Sequence, residues 1–225
     1  MRKVILLLTM LILLFPVFAD YNGTEVDLTK GDYSFISDAF GGKSMAGLFK
    51  QTKTVAGSPR SFVSTGSILI KTGMGIVWCT QKPYPSILVV GRDVLIQKIR
   101  DGEATHLDIA NNPIYIQIAT SLECVFSADF SKIASLFTTY LTTDATGWEL
   151  LLIPRDKTVA SFMTSITMTG SSTFDSLKMI ETTGDSILYE FSDMEQRELT
   201  DEELEPMQRH HKLFERCGAF DPNII

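Results

Sequence analysis

Two neighbouring segments of the sequence are apolar at almost every position, which restricts the kind of sheet that the chain can form. Residues 76–79 (IVWC) and 87–90 (ILVV) flank a Pro-Tyr-Pro turn, so their spacing predicts the two strands of a hairpin. A strand with one face in water alternates apolar and polar side chains, because successive side chains point to opposite faces. These strands do not alternate at their centres, and we therefore predict a sheet that is covered on both faces in this region.

The first 19 residues have the pattern of a secretory signal peptide. Arg2 and Lys3 precede an apolar run over residues 4–18, and small residues stand at positions −3 and −1 of a cleavage site after Ala19. The run is shorter than the ~20 residues that a membrane-spanning helix needs, although an uncleaved anchor is the alternative interpretation. We expect cleavage after Ala19 and export of the mature protein from the cytoplasm.

The net charge argues against two classes of partner. The chain has 20 basic and 27 acidic residues, and loss of Arg2 and Lys3 with the signal peptide leaves 18 − 27 = −9. A protein this acidic has no basic stripe to neutralise nucleic-acid phosphates, and it is not attracted to anionic lipid surfaces. We expect no nucleic-acid binding, and any lipid partner must be bound through apolar contacts.

Short strands at regular intervals predict an antiparallel meander, which helical segments interrupt. Helical periodicity is found at residues 113–125 and again at 129–137, and a short helix is predicted at 33–40. The predicted strands are residues 47–55, 61–72, 75–81, 86–91, 93–100, 148–154, 162–170, 174–182 and 186–192.

The end of the chain is predicted to be a charged helical tail. Residues 193–205 contain seven acidic side chains and one arginine, a net charge of −6. Thr200 and Glu203 have the spacing of a capping box, which predicts a helix over residues 201–215. The predicted organisation is a signal peptide (1–19), one domain (20–192) and the tail (193–225).

Residues that could carry catalysis or bind a metal are few and scattered. His106 lies in a predicted loop near Asp108, and His211 and Glu215 are four positions apart on the predicted tail helix. Solvated side chains are the simpler interpretation, since one such pair is weak evidence for a metal site. The sequence contains no G-x-S-x-G motif and no glycine-rich phosphate loop. We expect no enzymatic activity, no metal site and no cofactor.

The three cysteines, Cys79, Cys124 and Cys217, do not have the number or spacing of a disulfide framework or a zinc ribbon. Cys79 and Cys124 lie in apolar segments, and we interpret them as buried free thiols. One bridge, formed in an oxidising compartment, is the alternative.

Four segments of the chain carry motifs in a consistent order. They are Phe49, Gln51 and Lys53 in F-x-Q-x-K; Ser64 and Gly66 in S-x-G; Trp78 and Pro83 in a segment of a tryptophan, P-x-x and an apolar strand; and Leu152 and Pro154 in L-x-P. In order and spacing these segments resemble the periplasmic outer-membrane lipoprotein carrier family (LolA-like proteins) over roughly residues 45–192. Two departures indicate a divergent relative: Thr72, beside Lys71, stands where the family has an arginine, and the family's second strand tryptophan is absent.

The resemblance implies a mainly β fold with an α-helical lid. It is an incomplete, half-open antiparallel β-barrel that helices cover, and we add the predicted C-terminal helix to it. The interior would hold the acyl chains of a lipoprotein or another lipid. An inner-membrane release complex and an outer-membrane acceptor are the implied partners, and we expect a monomer.

Strand alternation, applied to this implied barrel, predicts which side chains face the cavity. In the strand at 61–72, Ile68, Ile70 and Thr72 are expected to point inward. Their neighbours Leu69 and Lys71 are expected to point outward. The predicted cavity residues are Phe49, Ile68, Ile70, Trp78, Leu88, Val90, Leu150, Leu152, Ile166 and Met168. The predicted lid residues are Ile114, Ile118, Leu122, Ile133 and Phe137, and the predicted polar residues near the lid are Lys71 and Thr72.

The sequence therefore predicts a periplasmic carrier that shields lipoprotein or lipid acyl chains in a hydrophobic cavity and moves them toward the outer membrane. Two alternatives stay open. One is a glycolipid- or fatty-acid-binding module of the same shape that serves envelope biogenesis. The other is a β-sandwich interaction protein without a ligand, whose acidic tail recruits a partner.

Overall fold

The computed structural model describes residues 21–40, 44–91, 95–100, 102, 105–107, 124–201 and 203–204. More than half of these residues lie in the strands of one antiparallel sheet, on which short helices pack. The helices are α1 (Ser34–Ala39) and α2 (Phe130–Leu136); residues 124–126 are also helical, and Val159–Ser161 form a 3₁₀ turn. The strands are β1 (Thr24–Val26), β2 (Ser44–Thr54), β3 (Ser61–Lys71), β4 (Gly75–Lys82), β5 (Ser86–Gly91), β6 (Leu95–Ile99), β7 (Thr105–Leu107), β8 (Phe137–Thr143), β9 (Trp148–Pro154), β10 (Met163–Gly170), β11 (Phe174–Glu181) and β12 (Ser186–Gln196).

The described strands form a single 12-stranded sheet in the order β1-β8-β9-β10-β11-β12-β2-β3-β4-β5-β6-β7. The two edge strands, β1 and β7, are not neighbours, so the sheet is not closed into a barrel. The predicted class, a mainly β fold with an incomplete antiparallel barrel, is confirmed. The described chain does not contain the two separate sheets of the sandwich alternative.

The strand order makes the chain cross from one edge of the sheet toward the other in its middle. β7 is one edge, and β8, the next strand along the chain, pairs with β1 at the opposite edge. Residues 124–136 are the described part of this connection, and Phe126 and Ile133 are buried in a large hydrophobic cluster on the sheet. A helical connection in the middle of the meander was expected, and the part of it that the structure describes packs on one face.

The strands β2 to β6 bury side chains on both faces of the sheet. In β4, Ile76 and Trp78 belong to one hydrophobic cluster, whereas Val77 and Cys79 belong to another. Since successive side chains of a strand point to opposite faces, the two clusters lie on opposite faces. We call the cluster that contains Trp78 the inner cluster and the one that contains Val77 the outer cluster. The predicted cover on both faces is confirmed.

Gly66 of the S-x-G motif is explained by a close approach of two strands. A Cβ atom at this position would collide with the carbonyl oxygen of Cys79 in β4, so a side chain cannot be accommodated. The register between β3 and β4 shifts at the same point, between Thr65 and Gly66. The motif glycine therefore permits a β-bulge, which increases the local twist of the sheet.

The helix predicted at 129–137 ends one residue early, and Phe137 begins β8 instead. Phe137 has extended backbone (φ −131°, ψ 151°), and β8 pairs with both β1 and β9. The sequence FTTYLTT is rich in aromatic and β-branched residues, which favour a strand over a helix. The prediction that Phe137 lies on a lid helix is wrong.

Other elements differ from the prediction in extent. His106 lies in the edge strand β7, not in a loop, and β1 was not predicted; both strands have three residues. The last strand continues to Gln196, past a bulge between Ser192 and Glu195. Residues 113–123 of one predicted helix and 205–215 of the tail helix lie outside the described residues.

Candidate functional site

The ten side chains that alternation assigned to a cavity all belong to the inner cluster. Nine of them are buried and Leu88 is half-buried. On β3, Ile68 and Ile70 point into the inner cluster while Leu69 between them points into the outer cluster, as expected. That these residues line a ligand cavity stays a prediction, because burial alone does not distinguish a cavity lining from a packed core.

Trp78 lies among aromatic rings and has an unsatisfied donor. Its ring centroid is 5.9 Å from that of Phe49 and 4.9 Å from that of Tyr189. Its indole Nε1–H is buried and has no hydrogen-bond partner in the described part of the protein. A buried donor without a partner costs about 1–3 kcal/mol, so this N–H would be stabilised by an acceptor that entered the cluster.

Tyr189 places a second polar group beside Trp78. Burial raises the pKa of Tyr189 to about 12, so the phenol is neutral at physiological pH. A neutral phenol is able to donate a hydrogen bond. The apolar inner face therefore contains two neutral side chains, on β4 and β12, that are able to donate to an oxygen atom.

Phe126 contacts strands that are far apart in the sheet. Its ring centroid is 5.4 Å from that of Trp78 on β4, 5.9 Å from that of Phe174 on β11 and 6.1 Å from that of Phe191 on β12. β4 and β11 are four strand spacings apart, about 19 Å along a flat sheet. One phenyl ring reaches both only if the sheet curves around it, so the inner face is concave and Phe126 lies in its hollow.

Two helices pack on the inner face beside Phe126. From α1, Ile36 is buried and Phe40, at its C-terminus, stacks on Phe174 with 4.4 Å between ring centroids. From α2, Ile133 is buried in the same cluster. Asp129 caps α2 by accepting a hydrogen bond from the backbone N–H of Lys132 at 3.1 Å. The two helices and residues 124–126 cover the hollow.

Arg155, which follows β9, holds the C-terminal end of α2. Its backbone N–H donates to the carbonyl oxygen of Leu136 at 2.8 Å, and its Nη1 donates to that of Ala134 at 3.3 Å. Its Nε also donates to Oγ1 of Thr138 at 2.8 Å. These bonds satisfy carbonyl groups that a helix end leaves unpaired. They fix the end of α2 that leads into β8.

The structure places some of the predicted lid residues and nearby polar residues as expected, and others differently. Ile133 is buried over the inner face, and Phe137 is buried there from a strand. Lys71 pairs with Glu198 of the tail at 2.9 Å (Nζ to Oε2) and so points outward, as expected. Thr72 lies in the turn after β3 and is exposed, so the prediction that it points inward is wrong. Ile114, Ile118 and Leu122 lie outside the described residues.

Sequence reasoning missed several aromatic residues of the hollow. β12 was predicted as a strand, and Tyr189 and Phe191 are two positions apart on it. Strand alternation therefore places both rings on the same face, where they pack against the inner cluster. Phe126 is on the apolar stripe of the helix predicted at 113–125, but that pattern does not show which strands its ring contacts. Phe40 and Phe174 meet only through the fold, because their contact joins distant parts of the chain.

The outer cluster is formed by strand side chains and by the start of the tail. Leu199 is buried in it, and Leu204 and Met74 pack against it. The strand members are Ala46, Leu69, Val77, Cys79, Ile87, Val89 and Ile96.

The start of the tail is fixed by hydrogen bonds and ion pairs. The predicted capping box is confirmed: Thr200 N–H donates to Glu203 Oε2 at 2.8 Å, and Glu203 N–H donates to Thr200 Oγ1 at 3.2 Å. Glu203 also accepts from both terminal nitrogens of Arg197, at 2.9 and 2.6 Å. This pairing lowers the pKa of Glu203 and raises that of Arg197.

The two described cysteines lie on opposite faces of the sheet. Cys124 is buried in the inner cluster, as predicted. Cys79 is buried in the outer cluster and is disulfide-bonded, so the prediction of a free thiol there is wrong. Cys79 directly follows Trp78, and its outward direction follows from the same alternation that turns Trp78 inward.

A cleft of about 700 Å³ lies at the β1 end of the sheet, away from the predicted cavity residues. Hydroxyl and carboxylate side chains, such as those of Thr142, Asp144 and Asp175, form much of its wall around Trp148. Such a lining does not suit acyl chains. In the described ranges, no three His, Cys, Asp or Glu side chains are grouped to hold a metal ion. No helix there has the length and apolar character needed to cross a membrane.

The chain is similar to one family model and, at low identity, to several solved structures. The family model for the outer membrane lipoprotein carrier protein LolA matches residues 41–205. No curated protein matches the chain. The LolA superfamily protein NE2245 from Nitrosomonas europaea is 9% identical, with 75% of this chain and 94% of that chain covered and a TM-score of 0.41.

Two further solved structures share the similarity. A DUF1329 family protein from Desulfovibrio piger is 7% identical, with 82% of this chain and 98% of that chain covered and a TM-score of 0.44. A chain of the MucA/MucB complex from Pseudomonas aeruginosa is 14% identical, with 76% of this chain and 58% of that chain covered and a TM-score of 0.35.

Proposed function

Because the chain belongs to the LolA family of outer membrane lipoprotein carrier proteins, we propose that it carries a lipoprotein through the periplasm toward the outer membrane. Members of this family are periplasmic carriers, not enzymes, which supports a carrier or binding role in general. In the proposal, the concave inner face shields the acyl chains of the cargo from water.

The insertion of Phe126 into the hollow is the observation that carries this proposal. The ring is 1% exposed and contacts aromatic rings from three strands. Residue 126 lies in none of the paired strands of the described chain, so its ring is able to leave the hollow while those strands stay paired. Its withdrawal would leave an apolar groove between β4 and β11, in which an acyl chain replaces the phenyl ring.

The physical need for such a groove follows from the cost of exposing acyl chains. Each buried CH₂ group contributes about 0.8 kcal/mol, so a lipid anchor does not cross an aqueous compartment unshielded. A carrier must replace most of this burial without exceeding it, because otherwise the cargo is not released. Met45, Met163 and Met168 in the inner cluster suit this role, since methionine adapts to differently shaped apolar partners.

Trp78 and Tyr189 add a polar element to the proposed site. The buried N–H of Trp78 has no described partner, and the Tyr189 hydroxyl is a neutral neighbour. The oxygen atoms of acyl esters are acceptors without donors of their own, so they match these two groups. We propose that the two side chains hold the ester end of the acyl chains.

The proposed opening takes place at the Phe126 end of the covering helices. The far end of α2 is fixed by Arg155 and continues directly into β8, which pairs on both sides. Residues 124–126 have no strand pairing of this kind. We therefore place the hinge near Leu136 and expect Phe126 to move most.

The first test is native mass spectrometry of the protein purified gently from its own envelope, followed by lipid analysis of what dissociates. A bound acylated peptide or lipoprotein would support the carrier proposal and identify the cargo. A glycolipid or free fatty acid would favour the glycolipid- or fatty-acid-binding module. A bare protein that also takes up no apolar dye would contradict both.

The second test compares two phenylalanines that differ in position. Phe126→Ala should increase binding of a fluorescent fatty acid, because it empties the hollow in advance. Phe62→Ala is the matched control, since Phe62 is 62% exposed on β3 and should leave binding unchanged. Equal binding by the two variants, or weaker binding by Phe126→Ala, would show that Phe126 does not occupy the acyl site.

A further inference from the structure

Exposed hydrophobic side chains are concentrated at one end of the sheet. Of the six large hydrophobic side chains that are exposed in the described ranges, four lie there: Phe62, Val63, Tyr84 and Ile99. This is the end at which β3 and β5 begin and β4 and β6 end, because neighbouring strands are antiparallel. Exposed apolar side chains that are grouped in this way indicate a contact surface, whereas single ones do not.

The register of the strands brings the four side chains to one surface. Lys82 at the end of β4 pairs with Thr65, so residues 61–64 of β3 project past the end of β4. They lie at the level of the turn between β4 and β5, which carries Tyr84. Ile99 lies opposite the first residue of β5, directly after the same turn.

Three cations accompany these apolar side chains. Arg60 precedes β3, Lys82 ends β4 and Arg100 follows β6, and all three are exposed. The guanidinium carbon of Arg100 lies 3.8 Å from the centroid of the Tyr84 ring, so a cation covers this exposed ring. The Arg100 backbone N–H also donates to the carbonyl oxygen of Pro85 at 2.8 Å. We call the three cations and the four apolar side chains the basic tip.

The charge of this part of the chain is opposite to that of the whole protein. Residues 58–100 contain six basic residues and one acidic residue, and the strands β3 to β6 contain no Asp or Glu. Glu181 and Asp185 are carboxylates at the same end of the sheet, at the turn between β11 and β12. Both pair with Lys53, at 3.2 and 3.8 Å, so a cation of β2 offsets their charge.

The acidic start of the tail lies at the opposite end of the sheet. Glu198 pairs with Lys71, the last residue of β3, whereas the basic tip adjoins Ser61, the first residue of β3. The two ends of this strand are about 33 Å apart. The Debye length is about 8 Å at physiological ionic strength, so the tail does not cancel the field at the basic tip. The negative net charge therefore does not decide how this end meets an anionic surface.

We propose that the basic tip docks on the surface of a bilayer that contains anionic phospholipids. The cations contact lipid phosphates, and Phe62 and Tyr84 enter at the level of the headgroups, where aromatic side chains of membrane proteins concentrate. Apolar side chains at the ends of separate strands suit a fluid surface, because they insert between lipids without a matching pocket. This docking uses neither the hollow nor Phe126, so it is independent of any cargo.

Sedimentation with lipid vesicles tests the proposal on the purified full-length protein. The probes are phosphatidylcholine vesicles with and without phosphatidylglycerol. We expect the protein to sediment only with the vesicles that contain phosphatidylglycerol, and to be released as salt is added. Binding to neither kind of vesicle, or equal binding to both, would overturn the proposal. In the first case an acidic protein would be the better partner for the basic tip.

A pair of charge reversals tests whether the basic tip makes the contact. Lys82→Glu should lower the apparent affinity for the anionic vesicles about tenfold or more, because it replaces attraction with repulsion. Lys178→Glu is the matched control, since Lys178 is exposed on β11 and the change in net charge is the same. β11 is four strand spacings from β4, about 19 Å along the sheet. An equal loss in the two variants would mean that net charge governs binding, and would overturn the proposal.

Phe62→Ala tests the apolar part of the contact and separates it from the carrier function. This variant should weaken binding to the anionic vesicles about threefold or more, because it removes the apolar ring that enters the headgroup region. It should leave binding of a fluorescent fatty acid unchanged, as expected of a side chain outside the hollow. Unchanged vesicle binding would overturn the proposed insertion. A wild-type protein that binds vesicles but no fatty acid would contradict only the carrier proposal.

Discussion

β4 and β10 have the same length and both lie inside the sheet, but they bury their side chains differently. In β4 every residue from Gly75 to Cys79 is buried. In β10, Ile166 and Met168 are buried while Thr167 between them is half-buried. Both strands contribute to the inner cluster, and only β4 contributes to the outer cluster. An unbroken apolar strand in this protein thus indicates a covered second face, not a central position in the sheet.

The largest expected difference between β4 and β10 comes from a charge placed on the face of each strand that points away from the inner cluster. Val77→Asp should reduce the free energy of unfolding by about 4 kcal/mol or more, because it buries an unpaired carboxylate and removes apolar burial. Thr167→Asp should cost less than about 1 kcal/mol, since Thr167 is half-buried and lies opposite Lys178. Urea denaturation measures both; similar costs would mean that the outer face is open in solution.

A smaller effect is expected from truncation within one strand. Ile96 and Ile99 both belong to β6, but Ile96 is completely buried in the outer cluster and Ile99 is 54% exposed. Ile96→Ala should cost about 3 kcal/mol through the cavity it leaves. Ile99→Ala should change stability by no more than about 0.5 kcal/mol. Thermal unfolding of the two variants measures both losses of stability. A low cost at Ile96 would argue against close packing over the outer face.

The ion pair at the start of the tail gives a modest, pH-dependent effect. Arg197 holds the pKa of Glu203 below its ordinary value of 4.5, so the stabilisation is present above that value and is lost as the pH falls through the lowered pKa. Glu203→Gln should therefore cost up to about 1 kcal/mol at neutral pH and almost nothing in strong acid. Denaturation curves of both proteins over the acidic range test this, and a cost that grows on acidification would contradict it.

The smallest effect is expected at an exposed cross-strand pair. Lys50 on β2 and Glu190 on β12 are 2.8 Å apart (Nζ to Oε2), with side chains 54% and 48% exposed. Lys50→Ala should change the free energy of unfolding by less than about 0.5 kcal/mol, since solvent screens the pair. The same denaturation assay applies, and a larger loss would show that this part of the outer surface is also covered.

The strands and their inward side chains were predictable because the two-residue period depends only on local geometry. Trp78, Leu88 and Ile166 were assigned to one face from sequence and all belong to the inner cluster. The same rule places Cys79, the residue after Trp78, on the outer face, where the structure has it. Whether the shared cluster also binds a ligand is a separate question that the pattern does not address.

The errors arose where local patterns compete or are too short. The apolar spacing of Phe130, Ile133 and Phe137 matches a helix. Phe137 nevertheless begins β8, because the pairing of β8 with β1 and β9 favours an extended backbone there. β1 and β7 have three residues each, too few to show any period. The contacts of Phe126 with three strands depend on the curvature of the whole sheet, which no segment encodes by itself.

The contacts of Phe126 on two distant strands have a mechanical consequence. Its ring touches Trp78 on β4 and Phe174 on β11 at the same time. A sheet that flattens moves β4 and β11 apart, so one phenyl ring can no longer touch both. The curvature of the sheet and the position of this single ring are therefore mechanically coupled.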